Sequence, residues 1–353
     1  MNVIDVANWP ADEYVVYPEG ARDKSLIYCP ENLPEKFLRP GHPYLFKHSN
    51  SNYPEQYWVE IFAFHLGKLI DITVPPAYVA FDSDTNQSAA LIEWFMKSVT
   101  NIQEKKQSLR GRVLLAAVNV VLRVLPINVV RKVFDQIIEK NGEAIERYVS
   151  GGDVMQRMIK NYDRKKGKQH NLESIMKYFH ALEKAVDLQD GWIKEWAKML
   201  TFDALIGNTD RHQDNWGLIW KYSPGGKIHV RMTPVFDNGT SMGHEMLPNK
   251  FHLFDDDAYI ERYVLKGRHH MKMNLRDGGR CNHGELLLKM MSRYPSIKSA
   301  MLNVLNFTGS DADMILRELT GCNVPVPLSI NRAEFMLKLL LYRRDHLLLV
   351  MNS

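Results

Sequence analysis

I-G-N-T-D-R-H-Q-D-N-W, at Ile206 to Trp216, is followed after a β-rich run by P-V-F-D-N-G-T at Pro234 to Thr240. Phosphoryl transfer from ATP needs a carboxylate that orients or deprotonates the acceptor hydroxyl, and oxygen ligands for the magnesium ions that bridge the phosphates. Asp210 fits the first role, and Asn215 and Asp237 fit the second. The two stretches together predict the active site of a kinase.

A plainer interpretation is a polar surface loop followed by an unrelated turn. Asp, Asn and Gly favour turns for backbone reasons alone, so either stretch by itself is weak support. Their order, with a plausible pair of strands between them, favours the functional interpretation.

The whole chain has the composition of a soluble globular protein, with 353 residues, 45% hydrophobic and 24% charged residues, and a net charge of +4. No long basic stripe with interleaved aromatics occurs, so direct nucleic-acid binding is not expected. Three scattered cysteines without a C-x-x-C pair indicate neither a disulfide framework nor a zinc site, and they fit a reduced, cytoplasmic location. The N-terminus lacks the pattern of a signal peptide. The length predicts two lobes.

Short β-prone runs at Tyr14 to Tyr17, Ser25 to Tyr28 and Tyr44 to Lys47 predict a small N-terminal sheet. The loop after the first run reads Gly20-Ala21-Arg22-Asp23-Lys24. A loop with a glycine and two cations can lay backbone N–H groups and positive charge over phosphates, although an ordinary hairpin loop is the simpler interpretation.

Lys47 ends an apolar strand, where a lysine packs poorly but can reach an ATP phosphate. In kinases a glutamate on the next helix steadies that lysine. A helix is predicted from Pro54 to about Leu69, and Glu60 within it is the candidate partner. The alternative is that Glu60 faces solvent.

Two further strands are predicted, at Ala77 to Phe81 and at Ala89 to Phe95, after the break at Val74-Pro75-Pro76. The second strand leads out of the sheet, at the place of a kinase hinge. Glu93 to Phe95 is therefore the predicted hinge, whose backbone pairs with adenine. An ordinary strand end is the alternative.

The segment from about 104 to 148 is an unusual insert, almost continuously apolar from Val113 to Leu125 and edged by arginines. This apolar run is too short to span a bilayer. We expect a buried helical pair of the larger lobe. A docking element for a partner or a membrane surface is the less favoured alternative.

The rest of the chain is predicted to be mainly helical. Helices are expected from Val154, at Leu172 to Val186, at Gly191 to Ile206, near Gly284 to Ser292 and at Asn331 to about Met351; a hairpin is expected at Leu218 to Trp220 and Ile228 to Val230, and a loop-rich region up to about Arg280. His269-His270 in that region suggests a phosphate or structural role rather than a metal site.

With these motifs in place, the chain resembles the HipA-like serine/threonine kinases, the toxin kinases of bacterial toxin–antitoxin systems. The resemblance rests on G-A-R-D-K at Gly20 to Lys24, L-F-K at Leu45 to Lys47, I-T-V-P-P at Ile72 to Pro76, I-G-N-T-D-R-H-Q-D-N at Ile206 to Asn215 and F-D-N-G at Phe236 to Gly239. The last two motifs are the specific ones.

The resemblance implies an α+β, two-lobed protein-kinase-like fold, with a β-rich N-lobe at 1–96 and a mainly helical C-lobe at 97–353. It implies ATP and Mg²⁺ as cofactors, Asp210 as catalytic base, and Asn215 and Asp237 as metal ligands. The nucleotide would be bound by Gly20, Ala21, Arg22, Lys24, Lys47, Glu60, Glu93 and Phe95. A protein substrate and an antitoxin partner are implied as well.

The string D-R-H-x-x-N is also similar to the catalytic loop of phosphoinositide kinases. His212 could then assist catalysis by acting on the transition-state charge, and a lipid or small-molecule alcohol is an alternative acceptor. A third hypothesis is a pseudokinase scaffold. The joint presence of Lys47, Asp210, Asn215 and Asp237 argues against the scaffold.

Two departures from the family pattern stand out. Typical members carry an N-terminal subdomain before the glycine loop, whereas this sequence resembles a shortened form in which a separate polypeptide would supply it. Members that silence themselves by autophosphorylation have a serine just ahead of the loop glycine. Here Tyr17-Pro18-Glu19 occupies that place, which puts self-inhibition there in doubt.

Overall fold

The computed structural model describes residues 1–11, 23–96, 144–224 and 226–353. The predictions for Gly20, Ala21 and Arg22, for the strand at Tyr14 to Tyr17, and for most of the insert lie outside the described residues.

The first sheet has five strands in the order β1-β4-β5-β3-β2. The strands are β1 at Val3–Asp5, β2 at Lys24–Tyr28, β3 at Pro43–Lys47, β4 at Ala77–Asp82 and β5 at Gln87–Glu93. β1 runs parallel to β4, and the other neighbours are antiparallel. The predicted strands within the described residues are confirmed, but the last one ends at Glu93 rather than Phe95.

Helix α1, at Tyr57–Leu69, packs against this sheet after a short 3-10 turn at Pro54–Gln56. Trp58, Ile61, Phe62 and Leu66 are buried on this helix, whereas Leu69 at its end is exposed. The Tyr57 hydroxyl and the Trp58 indole N–H both donate to the Val326 carbonyl, at 2.7 and 3.1 Å. The C-terminal half of the chain therefore fixes the position of α1.

The second sheet has the order β6-β8-β9-β7. Its strands are β6 at Ile145–Ser150, β7 at Asp187–Leu188, β8 at Gly217–Ser223 and β9 at Lys227–Met232. The predicted hairpin is confirmed as β8 and β9. Residues 145–150, which overlap the end of the predicted insert, form a strand paired with β8 along its whole length.

The remaining described helices all follow β6 in the chain. They are α2 at Gly151–Met158, α3 at Leu172–Leu182, α4 at Trp192–Ile206, α5 at Asp257–Lys266, α6 at His283–Arg293, α7 at Lys298–Val304, α8 at Gly309–Thr320 and α9 at Ile330–Asn352. None of the described helices is long and apolar enough to cross a membrane.

Helix α5 lies inside the region predicted to be loop-rich, so that prediction is wrong at this point. Asp256 caps its N-terminus by accepting from the N–H groups of Ala258 and Tyr259. Within it Ile260 and Val264 are the buried residues, four positions apart. So narrow an apolar face gives a weak helical pattern in sequence.

Helix α4 runs through the main core. Trp196, Leu200, Phe202 and Leu205 in it are fully buried, as is the side chain of Asp203. This packing makes α4 a rigid base for the loop that follows it. The fold is α+β, as predicted.

Candidate active site

The loop after α4 leaves the helix at Gly207, whose φ of +71° suits a glycine. A Cβ at this position would lie 2.4 Å from Cζ of Arg343, so no larger residue fits without movement. Asn208 then turns the chain, because its side chain donates to Asp203 Oδ1 at 3.0 Å and accepts from the Asp210 N–H at 2.9 Å. Asp210 is thus held close to the end of the helix.

Arg211 joins the two sequence stretches. Its guanidinium is fully buried and bonds both carboxylate oxygens of Asp203, at 3.0 and 2.8 Å. It also donates to the Asn215 carbonyl at 2.9 Å, to the Phe236 carbonyl, and to Asn238 Oδ1 at 2.8 Å. One side chain therefore holds the Asp210 loop and the F-D-N-G turn in fixed positions.

Arg211, Asp203, Asn208 and Asn238 had not been predicted as site residues. The feature of the sequence that could have indicated them is Asp203, an acidic residue within a mainly apolar stretch of the predicted helix. A buried carboxylate requires a cation and hydrogen bonds, so a nearby arginine was to be expected.

Lys47 is buried at the end of β3 and contacts two carboxylates. Its Nζ lies 2.7 Å from Glu60 Oε1 and 2.6 Å from Asp237 Oδ1. Glu60 Oε2 accepts from the Asn238 N–H at 2.9 Å. The structure therefore brings Lys47, Glu60 and Asp237 together across the cleft, and α1 contributes the glutamate.

The carboxylates of Asp210 and Asp237 act on each other. Burial raises the pKa of Asp210, and the Asp237 charge raises it further, while His212 and Arg211 oppose the increase. Asp237 has a left-handed backbone, φ +57°, which sets the direction of its side chain. The two acidic groups therefore face a common space.

Asn215 completes this group. Its amide N–H donates to the Asp210 carbonyl at 2.7 Å, which leaves the amide oxygen for another partner. Within the described ranges no group of three or more His, Cys, Asp or Glu side chains could hold a metal ion. The oxygens of Asn215 and Asp237 still suit Mg²⁺, which typically takes one or two protein ligands together with phosphate oxygens and water.

His212 has a defined ring orientation. The Asp214 N–H donates to its Nδ1 at 3.1 Å, so the neutral ring carries its proton on Nε2. The ring lies edge-on to the His270 ring, with centroids 5.8 Å apart. A donor next to Asp210 is consistent with assistance to a transferring group.

The predicted hinge lies at the end of β5. The Trp94 N–H donates to the Pro43 carbonyl at 3.1 Å, and the Trp94 carbonyl meets His42 Nε2 at 2.7 Å. The Glu93 N–H bonds the Pro76 carbonyl at 2.8 Å. Because proline has no N–H, Pro76 cannot return a hydrogen bond to the Glu93 carbonyl.

The Phe95 ring stacks on Phe236, with centroids 5.3 Å apart, and the Tyr148 ring lies against both. This contact places the hinge beside the residue that precedes Asp237. Lys24, from the predicted phosphate loop, lies directly opposite Lys47 in the register of β2 and β3. The part of that loop before residue 23 lies outside the described residues.

Comparison with known proteins identifies the family of the chain. The family model described as "HipA-like C-terminal domain" matches residues 17–283. The chain belongs to this family. A comparison with curated proteins finds no match.

A solved structure shows the same fold. The Helicobacter pylori proinflammatory kinase CtkA matches with a TM-score of 0.67 at 14% identity, over 99% of this chain and 96% of that one. HipA of Shewanella oneidensis, solved with HipB and its operator DNA, matches with a TM-score of 0.44 at 12% identity, over 98% of this chain and 68% of that one. The HipA-like chain thus has a kinase-like fold and is a kinase by family.

Proposed function

We propose that this HipA-like kinase uses ATP and Mg²⁺ to phosphorylate serine or threonine of a cellular protein. The observation that carries the proposal is the contact of Lys47 with both Glu60 and Asp237, next to Asp210. Protein kinases need the equivalent lysine–glutamate pair and metal-binding aspartate in place together. A scaffold has no need to bury these charges in this arrangement.

Asp210 is the base in this proposal. Burial raises its pKa and therefore its basicity, which favours acceptance of the hydroxyl proton as the acceptor oxygen bonds to phosphorus. The hydrogen bond from the Asp210 backbone N–H to Asn208 Oδ1 fixes the distance of Asp210 from α4. His212 offers its Nε2–H to the charge that builds on the transferring group.

Asn215 and Asp237 would hold magnesium through their side-chain oxygens. Bound there, the ion would neutralise the phosphate charge. Lys47, which now pairs with Asp237, would then share its charge between Glu60 and a phosphate oxygen. Glu60 keeps the lysine extended across the cleft.

The nucleotide base would bind at the end of β5. The Glu93 carbonyl and the Phe95 N–H are the proposed adenine contacts, and the Glu93 side chain is directed elsewhere, to Arg39 at 2.9 Å. Gly20, Ala21, Arg22 and Lys24 form the proposed phosphate loop. An antitoxin, or a separate polypeptide supplying the N-terminal subdomain, is the partner that membership of the family suggests.

The test is transfer of label from γ-labelled ATP to a cell extract, followed by identification of the labelled species. We expect label on serine or threonine of one or a few proteins, dependent on magnesium. The matched variants are Lys47→Ala, which should abolish labelling, and Lys68→Ala on the exposed end of α1, which should not. Label confined to the lipid fraction, or absent altogether, would contradict the proposal.

A further inference from the structure

A ribbon next to the catalytic loop carries two exposed arginines that are joined by a hydrogen bond and that the proposed chemistry does not use. The ribbon spans residues 267–283, and its strands are joined by hydrogen bonds from the N–H groups of His269, Cys281 and His283 to the carbonyls of Cys281, Met271 and Gly267, at 3.1, 3.3 and 3.2 Å. The arginines are Arg268 and Arg280. The hydrogen bonds make the ribbon a fixed platform.

A chain of hydrogen bonds connects the catalytic loop to Arg280. The indole N–H of Trp216, the residue after Asn215, donates to His170 Nε2 at 3.0 Å. His170 must then carry its proton on Nδ1, which lies 2.8 Å from the His270 carbonyl. The His270 ring accepts from Arg280 through Nε2, at 2.5 Å from Nη2.

Both histidines of this hydrogen-bond chain, His170 and His270, are neutral. Burial lowers the pKa of His170 to about 3 and that of His270 to about 4. A neutral His270 can accept a hydrogen bond from Arg280 but cannot cancel its charge. Within the described part of the chain, no carboxylate forms an ion pair with Arg280 either, so the guanidinium keeps its full charge and its remaining donors.

Arg280 lies close to the proposed base. The ring of its partner His270 packs edge-on against that of His212, two residues from Asp210. Burial lowers the pKa of Arg280, and Asp210 is the neighbouring charge that raises it. The cation is therefore a neighbour of the proposed base, to which the acceptor hydroxyl would be hydrogen-bonded.

Fixing an exposed arginine is unfavourable by itself, since the side chain loses rotamer entropy when it is held in one conformation. A hydrogen bond to a neutral histidine offsets little of this entropic cost. A positioned guanidinium with open donors is, however, the group that binds a carboxylate through two parallel hydrogen bonds. The arrangement is that of a binding group rather than of a stabilising ion pair.

We propose that Arg280 binds a carboxylate beside the acceptor hydroxyl, so that the substrate is an acidic segment of a protein. Arg268 adds a second charge, since its Nη1 donates to the Arg280 carbonyl at 3.3 Å. A phosphoinositide head group carries several charges and calls for more converging cations than this pair. This inference rests on the proposed protein kinase function.

The test compares two synthetic peptides that contain one serine, flanked on both sides either by glutamate or by glutamine. We expect the wild-type protein to prefer the glutamate peptide at least tenfold in kcat/KM. Arg280→Gln should remove the preference, mainly by raising the KM of the glutamate peptide about tenfold. The matched control is Arg276→Gln, an exposed arginine of the same ribbon, which should retain the preference.

Equal activity of the wild-type protein on both peptides would overturn the inference while leaving the kinase function intact. So would an equal fall in kcat on both peptides in Arg280→Gln, which would place Arg280 on the transferring phosphoryl group. Phosphorylation of phosphatidylinositol phosphate vesicles in preference to either peptide would overturn the substrate class. No transfer to any acceptor, with no magnesium-dependent ATP hydrolysis, would overturn the proposed function itself.

Discussion

Arg211 and Asp203 form an ion pair in which both side chains are fully buried, with the guanidinium 3.0 and 2.8 Å from the two carboxylate oxygens. The same guanidinium also donates to the backbone carbonyls of Asn215 and Phe236. The pair therefore sets the positions of the proposed base and of the proposed metal ligands relative to each other, without itself facing the substrate.

Asp203→Ala should lower the free energy of unfolding by about 3–5 kcal/mol, because it leaves the Arg211 charge buried without a partner. Urea denaturation measures this. The control is Asp255→Ala, which removes the exposed partner of Lys338 at 2.8 Å and should change stability little. Similar small losses in both variants would show that the buried pair does not support the fold.

Asp237→Ala should abolish the magnesium-dependent part of the ATP-induced increase in Tm. The reason is that Asp237 would supply the carboxylate ligand of the ion, and an ion that bridges phosphates strengthens nucleotide binding. Thermal shift with ATP, with magnesium or with a chelator, measures the effect. Asp84→Ala, at an exposed turn, is the control. An unchanged magnesium-dependent shift would leave F-D-N-G as a structural turn.

Stability should fall as the pH falls from about 6.5, and His170 should account for part of the loss. Burial lowers its pKa to about 3, so below pH 6.5 the unfolded chain binds a proton that the folded chain does not. The stabilisation that His170 contributes is complete above pH 6.5. It is lost at about 1.4 kcal/mol per pH unit as the pH falls towards 3.

The variant His170→Gln can keep the hydrogen bond from Trp216 but cannot titrate. Its free energy of unfolding, measured in urea between pH 7 and pH 5, should therefore depend less on pH than that of the wild-type protein. Parallel pH profiles for the two proteins would show that His170 does not remain neutral in the folded state.

The sequence was sufficient to predict the site residues that its local pattern specifies. Lys47 at the end of an apolar strand, Glu60 on the following helix and the spacing of Asp210 to Asn215 all gave a chemical reason for their positions. The structure places these side chains around one cleft. Their roles in binding and catalysis are part of the proposed function.

Other features depend on contacts between distant residues and left little trace in the local pattern. The strand Val3–Asp5 has three residues, and its pairing with β4, more than 70 positions away, makes it a strand. The hydrogen-bond chain from Trp216 to Arg280 passes through His170, which nothing in its own neighbourhood marks. Only the folded chain brings these residues together.

The most direct measurement is the rate of label transfer from ATP to the acceptor protein by Asp210→Asn, compared with the wild-type protein at saturating ATP. Loss of a positioned base should reduce the rate about 10²–10⁴-fold. The ATP-induced increase in Tm should persist, because Asp210 would act on the acceptor and not on the nucleotide. A variant that transfers phosphate within a few-fold of the wild-type rate would contradict the assignment of Asp210, and with it the proposed mechanism.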